Sequence, residues 1–246
     1  MGSVKEIEII EKVEGNKMGT GRFHFSDRYS VFDWGQMPDL IEGKGVSLCI
    51  VGAYFFEKLA EKGIKTHYRG LIDEKGELKK LNEIEKPVSI MEISLVRVLK
   101  PSFSAGKYDY SVYKKEKGNF LIPLEIIYRN GISAGSSILK RLKSGEAKLE
   151  DLGLDHFPKE GEKLEKPIFD VSTKLELRDR YISWDEAKEI ASLSDKEVEE
   201  MKDILSIVNK TITEEVNKLG LENEDGKIEL AFDPDRNFMI VDVVGT

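Results

Sequence analysis

Arg129-Asn-Gly-Ile-Ser-Ala-Gly-Ser-Ser-Ile-Leu-Lys-Arg-Leu142 follows directly on Leu121-Ile-Pro-Leu-Glu-Ile-Ile-Tyr128. The upstream run is rich in β-branched and apolar residues and reads as a strand. The Gly/Ser turn then leads into a basic helix start. Gly135, Ser136 and Ser137 can present backbone N–H groups and hydroxyls where a helix begins, and orphan donors and the macrodipole favour an anion there. Arg129, Lys140 and Arg141 bracket that place with positive charge. An ordinary strand, turn and helix with a solvated basic face fits the same letters.

Upstream, residues 7–13, the Gly-rich 14–21 and 22–25 read as a β-hairpin with a loop. A helix is expected from Gly45, with Leu48, Val51, Phe55 and Leu59 on its apolar face and Gly63 just past its end. Residues 64–72, 87–99 and 120–128 read as strands, with a polar excursion over 107–117. Sheet therefore dominates the first half. Downstream, Ser183-Trp-Asp-Glu186 and Ser194-Asp-Lys-Glu197 are capping-box patterns. The second opens a long helix with Val198, Met201, Leu205, Val208, Ile212, Val216 and Leu219 on one stripe, ended by Gly220. A terminal hairpin follows, with strands at 227–232 and 238–244 and a turn at Asp233-Pro-Asp-Arg-Asn237. The division expected is a β-rich N-terminal lobe over residues 1–99 and a C-terminal α+β lobe over 100–246.

The chain has 246 residues, 40% of them hydrophobic, and a formal net charge of −8, enough for a sizeable core but unsuited to broad nucleic-acid or membrane binding. The single cysteine, Cys49, excludes an intramolecular disulfide and is expected in the core. No run of about 18 apolar residues is present, and a soluble, cytoplasmic protein is expected.

Asp225, Lys227 and Glu229 alternate along one strand face, and Asp242 interrupts the apolar run 238–244. Carboxylates placed so suit Mg²⁺ carried with nucleotide phosphates, although a charged, solvent-facing hairpin would show the same alternation. Two further segments mix polar side chains in a way that suits a ligand site or simple exposure: 26–35 with Asp27, Arg28, Ser30 and Asp33, and 169–179 with Ser172, Thr173, Lys174, Glu176 and Asp179. His24, His67 and His156 lack metal-ligand spacing and are expected in structural or surface roles.

Taken in order, these segments resemble the SAICAR synthetase family, the phosphoribosylaminoimidazole-succinocarboxamide synthases of purine biosynthesis. Asp27-Arg-Tyr-Ser-Val-Phe-Asp33, Glu42-Gly-Lys-Gly45 and Glu61-Lys-Gly-Ile-Lys-Thr-His67 are similar to its early motifs. Pro123-Leu-Glu125, Arg129-Asn130 and Gly135-Ser136 resemble its substrate-phosphate motif. Residues 160–169, Ser172-Thr-Lys-Leu-Glu176 and Asp225-Gly-Lys-Ile-Glu229 continue the register. The sequence also departs from the family pattern. Gly15-Asn-Lys17 keeps one lysine of the glycine loop, an extra residue stands between Asn130 and Gly135, and the run ends at Thr246. A divergent or C-terminally shortened member is implied.

The resemblance implies an α+β, two-lobed fold with antiparallel sheets and a nucleotide cleft between the lobes. It also implies an ATP-dependent amide-forming ligase that joins L-aspartate to carboxyaminoimidazole ribonucleotide (CAIR) through an acyl phosphate. Arg129, Gly135 and Ser136, with Lys140 and Arg141, would bind the substrate. Gly15, Lys17 and Asp225 would bind ATP, and Glu229 and Asp242 would hold Mg²⁺. Lys227, Asp33, Lys174 and Asp179 would be the catalytic set, and a homo-oligomer is suggested. A noncatalytic nucleotide- or phosphoribosyl-binding relative, or a ligase acting on another carboxylate, are the alternatives.

Overall fold

The structure is a computed structural model that describes residues 4–31 and 34–246. Its elements run β1 (Lys5–Glu11), β2 (Gly19–Phe25), β3 (Arg28–Val31), β4 (Gly35–Leu40), α1 (Lys44–Glu61), β5 (Tyr68–Ile72), β6 (Leu78–Lys79) and β7 (Ile90–Leu95). Then come β8 (Ser102–Ser104), β9 (Lys107–Asp109), β10 (Phe120–Gly131), α2 (Ser137–Ser144) and β11 (Lys163–Thr173). The chain finishes with α3 (Trp184–Ile190), α4 (Asp195–Asn217), β12 (Asp225–Phe232) and β13 (Phe238–Val241). Helices and antiparallel strand pairs together make an α+β protein. The chain divides into two compact units, the first Met1–Val98, Lys117–Leu121 and Ala231–Thr246, the second Leu99–Glu116 and Ile122–Leu230. No helix among the described residues is long and apolar enough to cross a membrane.

In the first unit an antiparallel sheet runs β1-β2-β7-β5-β6, and α1 packs on β2, β5 and β7. The carboxylate of Asp27 accepts from the backbone N–H groups of Gly43 and Gly45 at 3.2 and 2.8 Å, so it holds the start of α1. The buried face of α1 is Gly45, Cys49, Gly52, Ala53, Phe55, Phe56 and Leu59. Val51, expected on that face, is 37% exposed. The bulk of the apolar side chains misleads here: Gly52 and Ala53 let the helix approach closely, and a Cβ at 52 would stand 2.8 Å from Val243. The strand expected over 64–72 starts only at Tyr68, because Lys65 and His67 pair their backbones with Ile240 instead.

In the second unit β10 lies between β11 and β12. Register fixes which residues share a face. Glu125 stands opposite Ser172, Ile127 opposite Asp170 and Arg129 opposite Ile168, while Leu124, Ile126 and Tyr128 turn the other way. Both faces of β10 are buried. Ile132, Ile138 and Ile168 form a core cluster with Leu139 and Leu142 beside them, which seats α2. The caps expected at Ser183 and Ser194 are present, with Ser183 accepting from the Glu186 N–H and Ser194 and Glu197 closing a full capping box. The stripe of α4 is buried as far as Ile212, but the helix ends at Asn217 and Leu219 is 76% exposed. Residues 169–173 belong to β11 rather than to a loop.

Candidate active site

The polar face of the β11-β10-β12 sheet carries two clusters. At one end is Arg129, 6% exposed. Its Nη1 donates to Asp225 Oδ2 at 3.2 Å, and its Nη2 to Ser137 Oγ at 3.1 Å and Tyr181 Oη at 3.0 Å. Its Nε has no hydrogen-bond partner, nor has Ser136 Oγ, although both are buried. A buried donor left unpaired is costly, and two so close in sequence to a helix start mark a place for an acceptor group. Ser136 is the N-cap of α2 without making a side-chain cap bond. Gly135 precedes it at φ 73°, a conformation that favours glycine. The N–H of Ser136 closes a turn on the Ser133 carbonyl at 3.0 Å, so this residue offers its hydroxyl rather than the amide expected from the sequence.

The two basic residues of α2 part company. Lys140 is exposed, whereas Arg141 is 9% exposed and forms an ion pair with Asp170, 4% exposed.

The second cluster centres on Glu125 and Glu229, each 8% exposed. Lys174 Nζ reaches Glu229 Oε1 at 2.6 Å and Glu125 Oε1 at 3.3 Å, and Lys227 Nζ reaches the same Glu125 oxygen at 2.6 Å. Burial opposes the charge on Lys174, but Glu229 and Glu125 together hold its pKa above the ordinary lysine value. Asp179 faces this cluster. Burial and the charge of Glu125 raise its pKa, with Lys174 and Lys227 working the other way. The segment bearing it runs beside β11, since Thr173 N–H donates to the Arg180 carbonyl at 2.9 Å and Ile182 N–H to the Val171 carbonyl at 3.1 Å. Tyr181 pairs with Ser172, so Asp179 and Tyr181, two residues apart, point to the same side as Glu125 and Arg129.

The structure thus brings together Lys174, Lys227, Asp179 and Glu229, and separately Arg129, Gly135, Ser136 and Asp225. Asp225, expected with ATP, is placed beside Arg129. Asp33 lies outside the described residues. Gly15, Lys17 and Asp242 belong to the first unit. There the Gly15 carbonyl accepts from Asn119 Nδ2 at 3.0 Å, and Glu14 and Lys17 exchange backbone hydrogen bonds. Asp242, at φ 63°, pairs with Lys5 at 2.5 Å. Its carbonyl accepts from His67 Nε2 at 2.9 Å, and burial lowers the His67 pKa to about 4. Among the described residues no group of three His, Cys, Asp or Glu side chains is gathered for a metal ion.

Three members of the site had no separate role in the sequence reading. Glu125 interrupts an apolar strand, which is a usable signal, as is Asp170 between Phe169 and Val171. Tyr181 carried none.

The sequence profile of the SAICAR synthetase family matches residues 12–246. A protein of Archaeoglobus fulgidus described as a candidate phosphoribosylaminoimidazole-succinocarboxamide synthase is 57% identical over 246 residues, 100% of this chain and 72% of that protein. The chain belongs to the SAICAR synthetase family. As a SAICAR synthetase it is an ATP-dependent amide-forming ligase of purine biosynthesis. The fold is shared with a SAICAR synthetase (type 2) solved in complex with ADP, with TM-score 0.66 and 22% identity over 99% of this chain and 79% of that one. It is shared likewise with the Saccharomyces cerevisiae SAICAR synthase complexed with SAICAR, with TM-score 0.67 and 22% identity over 100% of this chain and 72% of that one.

Proposed function

We propose that this SAICAR synthetase joins L-aspartate to CAIR in the cytoplasm, with ATP converted to ADP and phosphate. The observation that carries this reading is the division of one buried strand face. Arg129 and Glu125 are four residues apart on β10, about 13 Å at the rise of a strand. That span is on the scale of a nucleotide. Arg129 and Ser136 grip the phosphate at one end, with Gly135 shaping the turn and exposed Lys140 adding positive potential. The lysine and carboxylate cluster meets the imidazole carboxylate at the other end.

In the reaction a CAIR carboxylate oxygen attacks the γ-phosphorus of ATP, ADP departs, and an acyl phosphate forms. The aspartate amine then attacks the acyl carbon, loses a proton, and phosphate leaves. Lys174 and Lys227 offset the charge gathered as carboxylate and phosphate approach, which is electrostatic work by positioned groups. Asp179, its pKa raised, is suited to take the proton from the amine. Gly15 and Lys17 form the ATP loop of the first unit. Of the residues that the resemblance gives to Mg²⁺, Glu229 is ion-paired with Lys174 and Asp242 with Lys5, so neither carboxylate as it stands fits the role of metal ligand. Mg²⁺ would supply charge neutralisation to the nucleotide phosphates. Assembly into a homo-oligomer is part of the same proposal.

The test uses CAIR labelled with ¹⁸O in its carboxylate, together with ATP, Mg²⁺ and aspartate. SAICAR and ADP should form in equal amounts, with one ¹⁸O in the released phosphate. Unlabelled phosphate would exclude the acyl phosphate, and the absence of SAICAR would exclude the substrate assignment.

A further inference from the structure

Tyr181 ties together two parts of the polar face that are built from different elements. Its hydroxyl lies 3.0 Å from Arg129 Nη2 on β10 and 2.9 Å from Ser137 Oγ at the start of α2. Its ring lies under the Arg141 guanidinium, 3.9 Å from ring centroid to Cζ. Ser137 and Arg141 are one turn apart on α2, so the tyrosine lies along a single face of that helix, hydroxyl at its first turn and ring at its second. Arg141 is in turn fixed by buried Asp170, whose Oδ1 accepts from Nη2 at 3.4 Å in addition to the contact of Oδ2 with Nη1. A guanidinium stacked on an aromatic face and paired in a fork to a carboxylate has little freedom.

The two unpartnered groups, Arg129 Nε and Ser136 Oγ, belong to the two elements that Tyr181 joins. Left to itself, an arginine side chain explores many rotamers, and fixing it before the ligand arrives removes that cost from binding.

We infer that Tyr181 is a positioning residue for phosphomonoester recognition, holding Arg129 of β10 in register with Ser136 and Ser137 of α2 so that both reach one phosphate group. This rests on the reading of Arg129 and Ser136 as the phosphate grip. Arg141 acts behind the tyrosine: with its charge met by Asp170, it fixes the ring and leaves the phosphate to Arg129.

The test compares the affinity of the full chain for CAIR and for the dephosphorylated nucleoside of CAIR by calorimetry, alongside the thermal midpoint. Tyr181→Phe keeps the ring over Arg141 and removes only the hydroxyl. It should weaken CAIR roughly tenfold, the scale of the rotamer freedom of an arginine no longer fixed before binding, while leaving the nucleoside and ATP nearly unchanged; the midpoint reports separately the stability lost with the hydrogen bond. Ser137→Ala, which removes the other group held by the hydroxyl, should shift the same ratio in the same direction by less. Wild-type affinity for CAIR in both variants, or equal weakening of CAIR and nucleoside, would overturn the positioning role. Arg129→Ala separates this from the reading beneath it. If Arg129→Ala abolishes the preference for CAIR over the nucleoside and Tyr181→Phe does not, only the role of Tyr181 fails. If Arg129→Ala keeps the preference, the phosphate grip itself fails.

Discussion

Lys174 is the residue on which the proposed catalytic cluster turns, because it stands between two buried carboxylates, Glu125 and Glu229. Replacing it by methionine leaves Glu125 with Lys227 and removes the cation 2.6 Å from Glu229. Stability should fall by roughly 2 kcal/mol, discounted from the cost of breaking a fully buried pair because the Lys174 side chain is 24% exposed. Turnover should fall by at least about a hundredfold, the scale of one lost electrostatic group in an active site. A Lys174→Met enzyme with wild-type turnover in the SAICAR assay would remove this lysine from the chemistry. Cys49 gives a second residue-scale outcome. Burial pushes its thiol up to about 12 from the ordinary 9.0. The folded chain keeps a proton that the unfolded chain releases, so this contribution to stability is complete below about pH 9 and is lost as pH rises toward 12. At pH 8 the native protein should resist labelling by an aromatic disulfide reagent and react fully in urea. Rapid labelling without urea would contradict the burial of the thiol.

At the scale of elements, the strand, turn and helix over 121–144 could be read from the letters because strand periodicity, turn residues and helix start all agree there. The same is true of α4, whose capping box and stripe coincide. Alternation along β12 also gave the shared face of Asp225, Lys227 and Glu229, but not the burial of Glu229 alone among them, which depends on the neighbouring strands. The face of α1 was misread because Gly52 and Ala53 carry the packing without carrying apolar bulk. Close approach decides β12 in the same way. A Cβ on Gly226 would stand 2.4 Å from the hydroxyl of Tyr128, which is 2% exposed and donates to Asn223 at 3.1 Å. Gly226→Ala should therefore cost about 1–3 kcal/mol, as overpacking of a filled interior does. An unchanged urea midpoint would show that Tyr128 moves aside freely.

At the scale of the whole molecule, a net charge of −8 coexists with the proposed phosphate site, since its cations are few, local and placed by a sheet. Composition alone carried none of this. The order of short motifs pointed to the family, and the profile match over residues 12–246 shows it. What the sequence left hidden were partnerships between distant positions, Arg141 with Asp170 and Tyr181 with Arg129, because no local period connects residues 29 or 52 apart. The central claim is that one strand face separates phosphate recognition at Arg129 from the chemistry around Glu125 and Lys174. Its most direct test is calorimetric titration of the Arg129→Ala protein with CAIR and, separately, with ATP and Mg²⁺. The division predicts that CAIR affinity falls by about a hundredfold or more, the scale of charge-assisted hydrogen bonds lost from a buried arginine, while ATP affinity stays at the wild-type value. Equal loss of both ligands would contradict it.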